Sequence, residues 1–297
     1  MRILISGASG FLGQKLTRAL QQSGQQVSAL VRREPHGEEL RWDPQLPLDP
    51  AKLSGYDAVV HLAGKNIAGR WTEKFKSELL ASRVQGTRTL ATAAAESYRR
   101  SEQPKAFISA SGIGYYGHRG DELLTEKSAA GTGFLAELSR QWEAASVPAS
   151  EAGVRVVCLR IGVVLDRHGG ALKQLLLPFR LGLGGRIGTG KQYWSWVSLE
   201  DVVGVVLLAL RDESLRGPLN VVAPSPARNA EFVHALGSVL HRPTMFPFPE
   251  FAVRALLGEM GQELLLTSAR VIPKKLQDHG YNFAHRDVEN ALRAALR

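Results

Sequence analysis

Three glycines spaced three residues apart mark the first loop of the chain, which reads Gly7-Ala8-Ser9-Gly10-Phe11-Leu12-Gly13. The loop lies between the apolar segment Arg2–Ser6 and a segment with helical apolar periodicity. Glycines permit a tight turn and close approach of backbone to phosphate, and a helix N-terminus offers free N–H groups. The pattern predicts a dinucleotide site, with an ordinary glycine-rich turn as the alternative. The contacts expected from this loop are Gly7, Ser9, Gly10, Phe11, Leu12 and Gly13.

Two arginines follow the second apolar segment, which ends Leu30-Val31-Arg32-Arg33. An acid at this place favours the 2′-hydroxyl of NAD, whereas an arginine favours the 2′-phosphate of NADP. Arg32 and Arg33 could form a charge-assisted clamp on that phosphate. The sequence therefore predicts NADP(H), although Glu34 follows directly. The alternative is a pair of arginines that face solvent.

The elements that carry these residues alternate between strand and helix patterns in the first half of the chain. This alternation is typical of βαβ units and a parallel sheet. We predict an α/β fold with a Rossmann-like, doubly wound parallel sheet. The predicted strands are Arg2–Ser6, Gln26–Val31, Ala58–Ala63, Ala106–Ser111 and Val154–Val164, and the predicted helices are Phe11–Ser23, Glu73–Ala95 and Leu135–Ala145.

The second half has a different pattern, with helices at 172–183 and 200–211 and a short strand at 219–222. From Pro224 onward it is helical and interrupted by prolines. We predict an NADP-binding domain over residues 1–223, with substrate-side insertions from about 170–198. A small, mainly helical C-terminal domain is predicted over 224–297, with the substrate cleft between the two.

Composition and charge indicate which partners and ligands this protein is expected to have. The net charge of +9 could indicate nucleic acid, but the basic residues are scattered and often have acids nearby. The single cysteine, Cys158, lies in an apolar run, which predicts a buried thiol. The eight histidines show no ligand spacing, and no apolar run is long enough to span a membrane. We expect a cytoplasmic, soluble protein with a small-molecule substrate, no metal, no nucleic acid and no membrane partner.

Several segments together resemble a known family. The glycine loop, with 57–64, 82–87 and 107–117, is similar to the extended short-chain dehydrogenase/reductases. Later segments resemble an atypical group of that superfamily, named only "epimerase family protein", which carries a C-terminal domain of unknown function. These later segments are Leu177–Gly185, Gly190–Val197, Asn220–Pro224, Asn229–Phe232, Val271–Leu276 and Gly280–Phe283.

The resemblance implies further cofactor contacts at the ends of strands and on one helix. Each has a plain alternative, because strand ends are often core and helix charges often face solvent. The implied contacts are Val31, Arg32, Leu62, Ala63, Glu78, Arg83 and Val163.

The resemblance also implies a pair of catalytic residues that this chain lacks. Hydride-transferring members of the superfamily use a serine or threonine, with a tyrosine and a lysine spaced Tyr-x-x-x-Lys. The tyrosine is the general acid/base for the substrate hydroxyl, and the lysine lowers its pKa. No tyrosine in this chain has a lysine four residues later, and the segment where the pair should lie, 133–139, contains neither residue. The usual dehydrogenase or epimerase chemistry is therefore in doubt.

The remaining candidates for catalysis are Ser111, at the end of the predicted strand Ala106–Ser111, and Tyr115 and Tyr116 in the next loop. Either tyrosine could donate a proton, and aromatic packing is the alternative. Trp194 and Trp196 either line a substrate pocket or form a buried plug. Arg160 and Arg186 could meet an anionic substrate or could be structural.

Two functions fit these observations. The first is an NADP(H)-binding oxidoreductase or epimerase-like enzyme that acts on an unknown small molecule with a nonstandard acid/base. The second is an NADP(H)-binding sensor or scaffold without turnover. The missing Tyr–Lys pair favours the second function, and Ser111 with the nearby tryptophans favours the first.

Overall fold

The computed structural model describes residues 1–101 and 103–297. Its helices are α1 Phe11–Gln22, α2 Glu73–Leu80, α3 Gly86–Ser101, α4 Phe134–Ala144, α5 Val147–Glu151, α6 Gly170–Arg180, α7 Leu199–Arg211, α8 Asn229–Leu240, α9 Glu250–Gly261, α10 Lys274–Asp278 and α11 Val288–Ala295. Its strands are β1 Arg2–Ser6, β2 Gln26–Val31, β3 Leu40–Arg41, β4 Ala58–His61, β5 Ala106–Gly112, β6 Leu123–Leu124, β7 Arg155–Ile161, β8 Val163–Leu165, β9 Tyr193–Trp194, β10 Trp196–Ser198, β11 Gly217–Val221, β12 Ala227–Arg228 and β13 Arg270–Val271. Short 3₁₀ turns (50–53 and 113–116) and π turns (81–85 and 262–266) complete the elements.

Seven strands form one parallel sheet in the order β11-β7-β5-β4-β1-β2-β3. The predicted Rossmann-like sheet is confirmed. The chain runs from β1 outward through β2, then returns to place β4 on the other side of β1. This reversal is the point at which open α/β sheets bind ligands, beyond the carboxyl ends of the strands. Ser6 and His61 are register partners at that point.

Alternating side chains of the central strands pack helices onto both faces of the sheet. Ile3 and Ile5 share one core with residues of α1 and α7, whereas Leu4 shares the other with residues of α3 and α5. Cys158 lies in this second core, as predicted, and burial raises the pKa of its thiol to about 12.

A third core joins segments that are distant in sequence. It contains Phe179 of α6, Trp194 and Trp196, Phe232 of α8 and Val253 of α9. The stretch predicted as a substrate-side insertion thus shares its core with helices of the C-terminal region. No helix among the described residues combines the length and apolarity needed to cross a membrane.

Two predicted elements are interrupted in the structure. The helix predicted over 73–95 contains the π turn 81–85, and such turns occur often at functional sites. The strand predicted over 154–164 breaks at Gly162, where a Cβ would lie 2.4 Å from the carbonyl oxygen of Ser195. This close approach lets β8 leave the main sheet and pair with β10.

Candidate functional site

The glycine loop folds tightly at the carboxyl end of β1. Gly7 has a φ of +77°, and a Cβ there would lie 2.8 Å from the backbone nitrogen of Ala63. A Cβ on Gly13 would lie 2.1 Å from the carbonyl oxygen of Gly7. Leu62 and Ala63, directly after β4, therefore form one wall of the loop, and only glycine fits opposite them. Steric contact with neighbouring backbone is thus sufficient to explain why positions 7 and 13 are glycine.

The N-terminus of α1 completes this cradle. Gly10 is its N-cap residue and supplies no side-chain hydrogen bond, so the first-turn N–H groups depend on an outside acceptor. The helix has 12 residues, and its positive end favours an anion. Beneath the loop, Ser6 Oγ lies 2.5 Å from Nδ1 of the buried His61. The loop and the helix end fit the pyrophosphate of a dinucleotide.

The two arginines after β2, Arg32 and Arg33, differ in their side-chain contacts. Arg33 binds both carboxylate oxygens of Glu39, at 2.7 and 2.6 Å. Glu34 pairs with Arg41 at 3.3 Å. The exposed Arg32 has no salt bridge or side-chain hydrogen bond to any described residue. Two arginines were expected to bind the 2′-phosphate. Of these, only Arg32 has a guanidinium without a partner among the described residues.

A second arginine, Arg83, lies beside the loop after β4 and has no acidic partner among the described residues. Arg83 sits in the π turn, with its Cζ 5.1 Å from the centroid of the Trp142 ring. Its Nη1 is buried without a hydrogen-bond partner among the described residues. Burial lowers the pKa of Arg83 to about 10. A Cβ built on Gly64 would lie 3.4 Å from this guanidinium, which places an unsatisfied cation beside the cradle.

The other residues implied by the resemblance have partners within the protein. Glu78 forms an ion pair with Lys65, in the loop after β4, and this pairing lowers the pKa of Glu78. Val31 ends β2, and the half-buried Val163 begins β8, where its N–H donates to the carbonyl of Ser195 at 2.9 Å. Val31 and Val163 therefore lie at strand ends, whereas Glu78 lies on α2 and is held by Lys65.

Ser111 belongs to a buried polar network. Its hydroxyl donates to Oε1 of Glu143, on α4, at 2.8 Å. Arg160 of β7 binds the same carboxylate through Nε and Nη2, at 2.8 and 2.9 Å. The Arg160 side chain is only 3% exposed. Glu143 therefore engages two nitrogens of Arg160, and the third, Nη1, donates to the Tyr116 hydroxyl, so each nitrogen of this guanidinium already has a partner among the described residues.

The two candidate tyrosines occupy different environments. Tyr116 is fully buried, and its hydroxyl contacts Oδ1 of Asn220 at 2.6 Å and accepts from Arg160 Nη1 at 3.0 Å. Burial raises the pKa of Tyr116 to about 12. Tyr115 is half-buried, and the Arg160 Cζ lies 3.4 Å from the centroid of its ring. Tyr116 is thus turned into the protein, and only Tyr115 lies at the mouth of the strands.

Trp194 and Trp196 are core residues. Both are buried, and their indole nitrogens donate to the carbonyls of Leu265 and Ser225, at 3.3 and 3.0 Å. They form the buried plug that was the alternative to a pocket lining.

Glu143 and Glu263 are polar residues that sequence reasoning did not single out. Glu263 belongs to the π turn after α9, and its carboxylate accepts the N–H of Leu135 at 3.3 Å. Glu143 lies 32 residues from Ser111 along the chain, and Glu263 lies 128 residues from Leu135. No local spacing could have indicated either contact.

The fold agrees with comparisons to known proteins. Residues 3–222 match the family described as the NAD dependent epimerase/dehydratase family. Residues 248–295 match DUF1731, a domain of unknown function. The chain is 44% identical over 293 residues to "Epimerase family protein ML0860" of Mycobacterium leprae, a match covering 98% of this chain and 94% of that protein. "Epimerase family protein SDR39U1" of Homo sapiens is 38% identical over 297 residues, 99% of each chain.

Solved structures of other proteins share the fold of this chain. The crystal structure of human epimerase family protein SDR39U1 (isoform2) with NADPH has a TM-score of 0.90 at 37% identity, covering 100% of both chains. UDP-N-acetylglucosamine 4-epimerase from Bacillus cereus has a TM-score of 0.76 at 16% identity, which shows a shared fold alone. The chain therefore belongs to the NAD-dependent epimerase/dehydratase family, in the atypical group of epimerase family proteins that carry this C-terminal domain of unknown function.

Proposed function

We propose that this protein is an NADP(H)-dependent oxidoreductase or epimerase-like enzyme acting on a small molecule that carries a carbonyl or hydroxyl group. The observation that carries the choice of cofactor is Arg32, an exposed arginine at the end of β2 without a partner among the described residues. Its neighbour Arg33 is held by Glu39. The human relative that was crystallised with NADPH supports the same choice.

The residues present fit this cofactor. The first-turn N–H groups of α1 would hold the pyrophosphate, and Arg32 would bind the 2′-phosphate. The buried guanidinium of Arg83, unsatisfied among the described residues, would gain an acceptor from the bound nucleotide. When bound, NADPH supplies a hydride. Ser111, near the end of β5, and Tyr115, in the turn that follows β5, are the residues we place against the substrate.

Calorimetry tests the cofactor assignment. NADPH should bind the wild-type protein more tightly than NADH, and Arg32→Ala should remove most of that difference. A charge-assisted contact predicts a loss of about tenfold or more in NADPH affinity. Arg33→Ala is the matched control, because its guanidinium is already paired, and it should keep the preference. Equal affinities of the wild type for the two cofactors would overturn the assignment.

The second candidate is a sensor or scaffold that binds NADP(H) without turnover. It is favoured by the absence of Tyr and Lys from residues 133–139 and by the commitment of Ser111 to Glu143. NADPH oxidation with a panel of aldehydes, ketones and sugar carbonyls separates the two. Turnover that depends on Ser111 and Tyr115 supports the enzyme. Tight NADPH binding with no oxidation by any compound of the panel supports the sensor.

A further inference from the structure

The N-terminus of α4 is capped from the opposite end of the chain. Gly133 is the N-cap residue of α4, has a φ of +103°, and provides no side-chain hydrogen bond. Glu263, in the π turn 262–266 after α9, reaches this end and accepts the N–H of Leu135 at 3.3 Å. A Cβ on Gly133 would lie 2.3 Å from Oε1 of Glu263. Glycine at position 133 therefore makes room for this carboxylate.

This end of α4 lies at the cofactor crevice. A Cβ on Gly114, in the turn after β5, would lie 2.9 Å from the Cβ of Leu135. The ring of Phe134 packs edge-on against Trp71, in the loop after β4, with centroids 5.1 Å apart. The carboxyl group of Glu263 is thus brought to the place where the loops after β4 and β5 meet. Ser111 is the penultimate residue of β5, which ends at Gly112 on the same side.

Glu263 contacts the segment in which the expected catalytic residues are missing. Residues 133–139 are the segment in which the resemblance predicts the acid/base tyrosine and its lysine, and neither is present. The carboxyl group that contacts this segment comes from the C-terminal domain of unknown function, which the match places at 248–295. The C-terminal region thus supplies a carboxyl group to the segment in which the first region lacks the acid/base tyrosine and its lysine, and the Glu137 carboxylate of that segment is paired with Arg140.

The surroundings of Glu263 raise the pKa of its carboxyl group. The group is half-buried, and burial raises its pKa; nearby Glu259, one helical turn earlier, raises it further. The Leu135 and Phe134 N–H groups act in the opposite direction without cancelling this effect. From α2, the charged group is Lys76, which is paired with Glu259 at 3.0 Å. A carboxyl group in such a site can act as a general acid closer to neutral pH.

We propose that Glu263 is the general acid/base of this protein, in place of the missing tyrosine. The proposal rests on the proposed function. In the reductive direction, a hydride from the reduced nicotinamide forms the new C–H bond at the substrate carbonyl carbon. The C=O π electron pair moves to oxygen, the Glu263 O–H bond breaks, and the proton forms the new alcohol O–H bond. The nicotinamide is oxidised, the carbonyl is reduced, and a proton taken up from solvent restores the Glu263 carboxylic acid, so that each turnover consumes one proton. The reverse reaction uses its carboxylate as base.

Glu263→Gln tests the proposal because glutamine keeps the size and the acceptor oxygen for the Leu135 N–H. With a carbonyl compound that the wild type reduces, kcat should fall about 10²–10⁴-fold in Glu263→Gln. NADPH affinity, measured by calorimetry, should stay within about twofold, since no cofactor contact is lost. In the wild type, kcat/KM should be highest below the pKa of Glu263 and decline above it. Glu250→Gln, on the exposed side of α9, is the control and should keep full activity.

A second measurement needs no substrate. In protein labelled with ¹³C at the glutamate carboxyl carbon, the signal missing from Glu263→Gln should titrate with a midpoint above 4.5, the ordinary glutamate value. A midpoint at or below 4.5, or a Glu263→Gln variant with undiminished kcat, overturns the proposal. Absence of turnover by the wild type, with NADPH bound, instead defeats the enzymatic function on which it rests. The two failures are therefore distinguishable.

Discussion

Arg160 binds both carboxylate oxygens of Glu143, at 2.8 and 2.9 Å, and so joins β7 to α4 directly beneath Ser111. The two side chains are 3% and 15% exposed. Removal of one partner leaves the other as a buried charge without compensation. This ion pair holds Ser111 on one side and the ring of Tyr115 on the other.

Arg160→Met should therefore destabilise the protein by about 3–5 kcal/mol, because Glu143 stays buried and unpaired. Urea unfolding monitored by circular dichroism gives this value. Arg140→Met, which removes an exposed ion pair with Glu137 on the same helix, is the control and should change stability little. Equal losses in the two variants would show that the buried pair has no special role.

Tyr116→Phe should lower stability and spare the cofactor site. The variant leaves Asn220 and one nitrogen of Arg160 without the hydroxyl partner, which predicts a loss of about 1–3 kcal/mol in the free energy of unfolding. NADPH affinity should not change. Tyr115→Phe provides the contrast, since its half-buried ring keeps its packing against Arg160 and stability should hold. A Tyr116→Phe variant with normal stability and no turnover would contradict this assignment.

Arg83→Met should weaken NADPH binding and increase the stability of the fold. The buried guanidinium of Arg83 has an unsatisfied nitrogen among the described residues, so replacing it with an apolar chain should raise the free energy of unfolding by about 1 kcal/mol. NADPH affinity should fall about tenfold or more, because the variant loses a charge-assisted contact. Thermal unfolding with and without NADPH measures both effects. A variant that loses stability and keeps NADPH affinity would contradict a cofactor role for Arg83.

His61 should make the fold sensitive to acid. Burial lowers the pKa of His61 to about 3 in the folded state, from 6.5 in the unfolded chain. Below pH 6.5 the unfolded chain therefore binds a proton that the folded protein excludes. Stability is lost as pH falls, at about 1.4 kcal/mol per pH unit.

The effect of His61 can be isolated with His61→Gln, which retains a hydrogen-bonding group for Ser6. Between pH 7 and pH 5, the wild type should lose about 2 kcal/mol more than this variant, measured by urea unfolding. Other titrating groups affect both proteins equally and cancel in the comparison. An identical pH dependence of the two proteins would mean that His61 takes up a proton within the fold.

Local patterns predicted the individual strands and the glycine loop because each of these is one continuous stretch of sequence. The strand at Arg2–Ser6, the loop to Gly13 and the following helix form one continuous segment, and the structure places them as expected. The interruptions at 81–85 and at Gly162 depend on distant groups, such as the carbonyl of Ser195, which a local pattern does not contain.

The candidate chemistry was harder to predict for the same reason. Ser111 was found from its place at a strand end, but its partner Glu143 comes from a separate helix. The exposure of Arg32 and the pairing of Arg33 depend on Glu39, six residues beyond Arg33 in an irregular loop. Glu263 reaches α4 only because the C-terminal region folds back over the crevice.

A crystal structure of this protein with NADPH tests the central claim most directly. We expect the pyrophosphate against the first turn of α1, the 2′-phosphate on the guanidinium of Arg32, and an oxygen of the nucleotide within hydrogen-bond distance of Arg83 Nη1. A 2′-phosphate that contacts Arg33 instead, or a cofactor that leaves the glycine loop uncovered, would contradict the account.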